Sequence, residues 1–212
     1  MKHIDVRNKR GSAKDLALSP LKERNLLKDT LKDTKDRIIL LLGCYAGLRS
    51  EEIGQCRYDW LEWENYQDIK VLTITIPKEC KNSRIPYKKF KQKKEWNTSI
   101  YIFDNEVANE IYFYYLNNKE GLKMSRQNIT RNRVSAHMGK IIGRHLTTHA
   151  LRSTYANYII NELRLPNGEK LDPMFVKTQL RHKNLKTTMQ HYKTENREQQ
   201  QSYLKGVMNK DA

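Results

Sequence analysis

The sequence is poor in the features that mark secreted, membrane-spanning and metal-binding proteins. Its three cysteines, Cys44, Cys56 and Cys80, are odd in number and far apart, which fits neither a disulfide framework nor a zinc knuckle. No apolar run approaches the roughly 18 residues that a membrane span requires, and residues 1–5 lack the apolar segment of a signal peptide. We therefore expect a protein that stays in the cytoplasm, with no membrane partner and with reduced, structural thiols.

Negative charge is also scarce. The 212 residues contain 24 Asp and Glu against 40 Lys and Arg, which gives a net charge of +16 and a sequence pI of about 9.7. This excess goes beyond what solubility requires and is typical of a surface that meets a polyanion, so nucleic acid is the first partner to consider. The length allows one domain with a sizeable core.

The sequence also lacks the common phosphate and metal motifs. It has no Walker loop, no carboxylate cluster of the kind that binds two metal ions, and no His or Cys ligand spacing, so we expect neither a cofactor nor a metal. What it does contain is a histidine and an arginine three positions apart, His149 and Arg152, which a helix would place on one face. A guanidinium suits a phosphate group, and Tyr192 further along the chain is then a candidate nucleophile.

Helical spacing of apolar residues dominates the chain, and one short region alternates as a strand does. Helices are predicted to start near residues 20, 34, 51, 105, 127, 148, 173 and 187, with caps at Ser19, Ser50, Asp104 and Thr147 or Thr148. Strands are predicted over 71–76, 84–87 and 99–103. The pattern therefore favours an α+β fold that is mainly helical and carries a small antiparallel β-sheet.

Arg49 lies where the second and third predicted helices meet. One interpretation is structural, in which Arg49 pairs with Glu52 and pins the junction between the helices. The other is a role in binding phosphate, and the local sequence does not separate the two.

The densest positive charge follows the strand over 71–76. It decorates a predicted hairpin over 77–86 and the residues after it, and a hairpin tip can enter a DNA groove. The ordinary alternative is a solvated face. The helix over 127–142 is predicted to turn its arginines outward, onto the same phosphate-facing surface. The predicted DNA-binding residues are Lys81, Arg84, Lys88, Lys89, Arg131 and Arg133.

Over most of its length, from about residue 18 to 192, the chain resembles the catalytic domain of the tyrosine recombinases, the phage integrase family. The residues that carry the resemblance are Gly47-Leu48-Arg49 with Glu52, His149-Ala150-Leu151-Arg152, Leu180-Arg181-His182, Lys78 beside the hairpin, and Tyr192 at the position of the nucleophile. Residues 1–17 are basic and poorly patterned, so we expect an arm or linker there. The resemblance implies the catalytic domain over 18–197 and a tail over 198–212 that docks on a neighbouring subunit or packs on its own domain.

The same resemblance implies a site-specific recombinase or integrase that cleaves and rejoins DNA through a 3′-phosphotyrosyl intermediate, without metal or ATP. The catalytic residues that it implies are Arg49, Lys78, His149, Arg152, His182 and Tyr192, with Lys81 as the alternative lysine. Two other functions stay open. A type IB topoisomerase-like enzyme would relax supercoils without site preference, and a catalytically silent DNA-binding protein would have no need of the intact residue set.

Double-stranded DNA is the implied partner, on which the chain would form a homo-oligomer, a tetramer, with a monomer expected in the absence of DNA. We expect it at the nucleoid, or in the host cytoplasm if a virus encodes it. The chain departs from the family in two residues: Arg181 stands where a glycine is usual, and Tyr192 follows His182 by ten positions, one more than in most bacterial members. The longer spacing favours an archaeal or viral branch. The family's upstream helical domain, which clamps the other face of the DNA, has no room in this chain.

Overall fold

The computed structural model describes residues 17–66, 69–77, 98–165 and 168–181. The regular elements are α1 (Asn25–Thr30), α2 (Thr34–Tyr45), α3 (Ser50–Gln55), β1 (Leu61–Tyr66), β2 (Ile69–Ile76), β3 (Thr98–Ile102), α4 (Asn105–Asn117), α5 (Gly139–Ile142), α6 (Thr148–Asn157) and α7 (Pro173–Gln179). Additional π-type helical segments cover Pro20–Arg24, Asn128–Met138 and Tyr158–Glu162, and a 3₁₀ turn covers Tyr58–Trp60. The predicted α+β class, mainly helical with a small antiparallel sheet, is confirmed. Among the described helices, none is both long and apolar enough to cross a membrane.

Helix α2 forms the centre of the core because its sequence is apolar on every side. Residues 38–42 are fully buried, and the helix contacts both α4 and α6. Asp33 is the N-cap of the helix, since its carboxylate accepts a hydrogen bond from the N–H of Lys35 at 2.8 Å. Each fully buried aliphatic side chain contributes about 1.5–3 kcal/mol to stability, so this helix fixes the positions of the elements around it.

The β-sheet has the strand order β1-β2-β3, and both pairings are antiparallel. Leu72 of β2 lies between Trp63 of β1 and Ile102 of β3. The strand predicted over 71–76 is therefore the central strand, and it is buried on both faces, since even Thr73 is fully buried. The strand predicted over 99–103 is confirmed to within one residue. The one predicted over 84–87 lies outside the described residues.

The junction between α2 and α3 positions the candidate site. The chain turns through Gly47, whose φ of +58° lies in the left-handed region that favours glycine. A Cβ at this position would lie 2.2 Å from Cδ1 of Tyr155, so the junction packs directly on α6. The predicted cap at Ser50 is wrong by one residue. Arg49 is the N-cap, and its N–H donates a hydrogen bond to the carboxylate of Glu52 at 2.6 Å.

The helix predicted over 127–142 is present but is not one regular helix, because Asn128–Met138 has π-type hydrogen bonding and α5 follows it. Arg131 is exposed on this segment, as expected. Arg133 instead turns toward α2, where it pairs with Asp33 at 2.7 Å and with Asp36 at 3.2 Å. The expectation that Arg133 points outward is wrong, because the buried carboxylate of Asp36 requires a cationic partner.

Candidate active site

Two of the residues predicted to be catalytic, Arg49 and Arg152, lie together in one cluster with Glu52 and Arg181. These four side chains, called here the arginine cluster, come from three parts of the fold. Arg49 caps α3 and Glu52 lies in its first turn, Arg152 lies in α6, and Arg181 follows α7 by two residues. The cluster is therefore assembled by tertiary packing and not by one local motif.

Glu52 is the acceptor at the centre of the arginine cluster, and it is 0% exposed. Its Oε1 accepts from Nη1 of Arg181 at 2.6 Å and from Nη1 of Arg49 at 3.2 Å, and its Oε2 accepts from the N–H of Arg49 at 2.6 Å. Burial acts to raise the pKa of Glu52, but the charge of Arg181 and the hydrogen bonds from both arginines outweigh burial and hold the pKa below its ordinary value. Glu52 is therefore ionised at neutral pH.

The ion pair between Arg49 and Glu52 leaves the side chain of Arg49 accessible to solvent. The pair pins the helix junction, as the structural interpretation of the sequence expected. The side chain of Arg49 is nevertheless 39% exposed. Glu52 therefore orients a guanidinium that still reaches solvent and is open to an incoming group.

Arg152 is held more tightly than Arg49. Its Nη1 donates to the carbonyl oxygen of Gly47, and its Nη2 donates to the carbonyl oxygen of Leu180. Burial, followed by repulsion from Arg181 and Arg49, lowers the pKa of Arg152 to about 9. The guanidinium stays charged at neutral pH but in surroundings that disfavour a cation. A negative group that binds here would relieve that cost.

Arg181 is the member of the cluster that the sequence did not assign to the site. Its side chain is 3% exposed, with Nη1 bonded to Glu52 and Nη2 donating to the carbonyl oxygen of Gly47 at 2.9 Å. Its φ of +53° is uncommon for a residue other than glycine. The signal that could have identified it was the substitution itself, since an arginine at a position where the family usually has glycine calls for a side-chain role.

The arginine cluster holds more positive than negative charge. Arg49 and Arg181 pair with Glu52, Arg152 is bonded to backbone carbonyls, and no other carboxylate of residues 17–66, 69–77, 98–165 and 168–181 pairs with any of the three. Two positive charges are therefore left for a bound anion. Across those same ranges, His, Cys, Asp and Glu side chains form no group of three or more that is arranged to hold a metal ion.

A comparison with known protein families identifies the family of this chain. The model of the phage integrase family matches residues 19–199. The chain belongs to the phage integrase family. The matched region contains every residue predicted to be catalytic, from Arg49 to Tyr192.

Solved structures similar to this phage integrase family chain are recombinases. The XerA recombinase has 20% identity and a TM-score of 0.57, with 88% of this chain and 64% of its own chain covered. The XerH site-specific recombinase in a post-cleavage complex with a palindromic difH substrate has 14% identity and a TM-score of 0.59, with 89% and 52% covered. The Tn1549 transposon integrase bound to transposon right end DNA has 16% identity and a TM-score of 0.56, with 89% and 66% covered. At these identities the likeness shows the fold.

This integrase-family chain spans only part of each of those relatives, 64% of the XerA recombinase and 52% of XerH. A search of curated proteins gave no significant match.

In this phage integrase family chain, α7 is anchored to the β-sheet, and the anchor fixes the position of Leu180 and Arg181. The buried side chain of Gln179 accepts a hydrogen bond from the N–H of Tyr101 at 2.9 Å and one from the hydroxyl of Tyr155 at 3.5 Å. Phe175 stacks on the ring of Tyr101 with centroids 5.9 Å apart and contacts Tyr66 at 5.0 Å. These contacts join the sheet to the end of α7, from which Arg181 enters the cluster.

His149 lies in the first turn of α6 and is exposed, one turn before Arg152. Thr147 caps the helix as predicted, because its hydroxyl accepts a hydrogen bond from the N–H of Ala150 at 3.1 Å. The exposed ring of His149 is therefore open to a group that approaches from solvent. The predicted site residues outside the described part of the chain are Lys78, Lys81, Arg84, Lys88, Lys89, His182 and Tyr192.

Two tyrosines that follow Arg152 in the chain, Tyr155 and Tyr158, are poor alternatives to Tyr192 as the nucleophile. Tyr155 is fully buried against the helix junction, and Tyr158 is half-buried. Burial raises the pKa of both phenols, so both are harder to ionise than an ordinary tyrosine. Tyr155 lies in the hydrophobic core, and Tyr158 packs against it.

Proposed function

We propose that this chain is a site-specific DNA recombinase or integrase that cleaves and rejoins DNA strands through a 3′-phosphotyrosyl intermediate. The observation that carries the proposal is the arginine cluster. Its elements bring Arg49 and Arg152 together around one carboxylate, Glu52, and leave two positive charges uncompensated. An excess of guanidinium charge held this close together is unfavourable in an empty site and favourable in one that binds phosphate.

A DNA phosphodiester fits this site in charge and in geometry. Arg49, which reaches solvent, and Arg152 would each donate to a non-bridging oxygen of the scissile phosphate. The phosphodiester carries one negative charge, and the five-coordinate transition state carries two. Two uncompensated guanidinium charges therefore stabilise the transition state more than the ground state, which is the requirement for catalysis.

Tyr192 would supply the nucleophile. A phenol with a pKa of about 10 is only about one part in a thousand ionised at neutral pH, so its proton must pass to a base, for which exposed His149 is the candidate. The phenolic oxygen forms a bond to phosphorus as the bond from phosphorus to the 5′ oxygen breaks. Lys78, or Lys81 as its alternative, would protonate the departing 5′ oxygen, and His182 would donate to the phosphate. The phosphotyrosyl bond keeps the energy needed for rejoining, so no ATP is consumed.

Double-stranded DNA as the partner is supported by the net charge of +16 and by the structural relatives. The XerH structure contains a difH substrate, and the Tn1549 integrase structure contains transposon end DNA. Exchange between two duplexes requires four strand cleavages, so we propose a tetramer on DNA with one active site for each cleavage.

Covalent trapping tests this function. The protein is incubated with nicked duplexes drawn from the attachment region of its parent element, and SDS-resistant protein–DNA adducts are mapped by peptide sequencing. We expect an adduct at Tyr192 that is lost in Tyr192→Phe and kept in Tyr155→Phe, which removes a hydroxyl that is buried in the core. Tight binding without any adduct would favour the silent DNA-binding protein. Relaxation of supercoiled plasmid without site preference would favour the topoisomerase-like enzyme.

A further inference from the structure

We propose that Arg181 is a positioning residue for Arg49 and Arg152. When those two arginines turn to bind phosphate, Arg181 stays bonded to the two acceptors that it shares with them, Glu52 and the carbonyl oxygen of Gly47. The inference deepens the proposed recombinase function and rests on it. It assigns a role to the one member of the arginine cluster that stands at a position where glycine is usual in the family.

The geometry that carries the inference is the sharing of acceptors. Oε1 of Glu52 accepts from both Arg49 and Arg181, at 3.2 and 2.6 Å. The carbonyl oxygen of Gly47 accepts from Arg152 and, at 2.9 Å, from Nη2 of Arg181. Arg181 is thus bonded to one acceptor of each arginine that is proposed to bind phosphate.

Sharing matters because both acceptors lie inside the protein. If Arg49 and Arg152 turned toward a phosphate with no other donor present, the carboxylate of Glu52 would lose its cationic partner and the carbonyl of Gly47 its hydrogen bond. Leaving a buried charge or a buried carbonyl without a partner is strongly unfavourable. Arg181 keeps both of these acceptors bonded, so movement of the other two guanidinium groups to the phosphate leaves only the carbonyl oxygen of Leu180, the second acceptor of Arg152, without its donor.

The burial and the backbone conformation of Arg181 favour a positioning role and argue against direct contact with phosphate. The Arg181 side chain is 3% exposed, compared with 39% for that of Arg49, so an incoming phosphate meets Arg49 first. The φ of +53° at Arg181 is one that glycine adopts without strain and other residues disfavour. The arginine side chain must therefore contribute something that a glycine at this turn cannot.

The test compares Arg181→Gly, which removes the side chain and the backbone strain together, with Arg181→Lys, which keeps a charge but cannot span two acceptors. Arg24→Ala is the matched control, because Arg24 is also a buried arginine with a carboxylate partner, Glu162, outside the cluster. Each variant is assayed for binding to an uncleaved duplex and for the rate of adduct formation at saturating DNA.

We expect Arg181→Gly to slow adduct formation about a hundredfold, the usual effect of small misplacement of reacting groups, while affinity for the uncleaved duplex stays within about threefold because it is spread over many phosphates. Arg181→Lys should recover part of the rate. Added guanidinium ion should rescue Arg181→Gly, and an equal concentration of sodium chloride should not. A folded Arg181→Gly protein that cleaves at the wild-type rate overturns the inference, as does an equal rate loss in Arg24→Ala.

A wild-type protein that forms no adduct would refute the proposed function. The contact between Arg181 and Glu52 is then tested separately, by measuring thermal stability. Thermal unfolding midpoints of Arg181→Gly are compared in the wild-type background and in Glu52→Gln. We expect the larger fall where Glu52 is present, because only there does Arg181 pair with a charge. Equal falls in the two backgrounds would show that Arg181 does not secure Glu52 and would overturn the inference.

Discussion

Replacing Glu52 with glutamine tests whether one buried carboxylate holds the arginine cluster together. The change keeps the size of the side chain and one acceptor oxygen but removes the charge. Glu52 accepts from the N–H of Arg49 on one oxygen and from the guanidinium of Arg181 on the other. The amide NH₂ of a glutamine would have to face one of these two donors, which loses a hydrogen bond and sets donor against donor.

The magnitude follows from the burial of Glu52. Removing one partner of a buried ion pair costs about 3–5 kcal/mol, because the remaining charge is unpaired. Glutamine keeps one acceptor, so we expect Glu52→Gln to lower the free energy of unfolding by about 1.5–3 kcal/mol, the range for a hydrogen bond to a charged group. Glu51→Gln is the control in the same helical turn. Glu51 and its partner Arg126 are 39% and 66% exposed, and an exposed pair contributes at most about 1 kcal/mol.

The pH dependence has a definite sign. The pKa of Glu52 in the folded protein lies below its ordinary value of 4.5. A depressed pKa stabilises the fold at pH values above the unfolded pKa, and the stabilisation is lost as the pH falls through the folded pKa. The difference in the free energy of unfolding between the wild type and Glu52→Gln should therefore be largest at neutral pH and should shrink in acid.

Urea unfolding followed by circular dichroism, from about pH 7 to about pH 3, measures this difference, provided that the m-value is the same in both proteins. Two results would refute the reasoning. One is a Glu52→Gln protein no less stable than Glu51→Gln. The other is a difference from the wild type that stays constant over the whole acid range.

Three further predictions concern the same site and its surroundings. Arg152→Ala should slow adduct formation about a hundred- to a thousandfold at saturating DNA, since it removes a donor to the developing charge; gel quantification of adducts checks this, and full activity would contradict it. Gly47→Ala should lower the unfolding midpoint more than Gly143→Ala. Both have positive φ, but only the Cβ at Gly47 meets another side chain, at 2.2 Å, against nothing within 4 Å at Gly143. Arg131→Ala should reduce the slope of log Kd against log salt by about 0.9 in fluorescence anisotropy if Arg131 contacts a phosphate, and an unchanged slope would remove it from the interface.

The helical part of this fold is predictable because the signals that set it are local. The predicted caps at Asp104 and Thr147 act within three residues of themselves, and both are present. β1 was missed for the opposite reason. Its sequence over Leu61–Tyr66 includes acidic and amide residues that strands disfavour, and the strand exists because it pairs with the buried β2. Such pairing is a property of the sheet and is not encoded in six residues.

The candidate site also has a part that is predictable from local sequence and a part that depends on tertiary packing. Arg49 and Arg152 could be identified from short motifs, because each motif is contiguous in sequence. The cluster could not, because the contacts from Arg181 to Glu52 and from Arg152 to Gly47 join residues more than a hundred positions apart. The outward orientation predicted for Arg133 was wrong for a related reason. Helical spacing does not reveal that the buried Asp36 of α2 lies within ion-pair distance of Arg133.

The arginine cluster gives up stability in ways that only a bound anion would restore. It places three guanidinium groups close to one carboxylate, that of Glu52, and it lowers the pKa of Arg152. Two packing contacts hold this arrangement in place: Gly47 packs on α6, and Gln179 joins α7 to the sheet. A site that served only to pin helices together would need one arginine for one carboxylate. Two additional guanidinium groups are understandable when their partner is the charge that develops on a phosphate during strand cleavage.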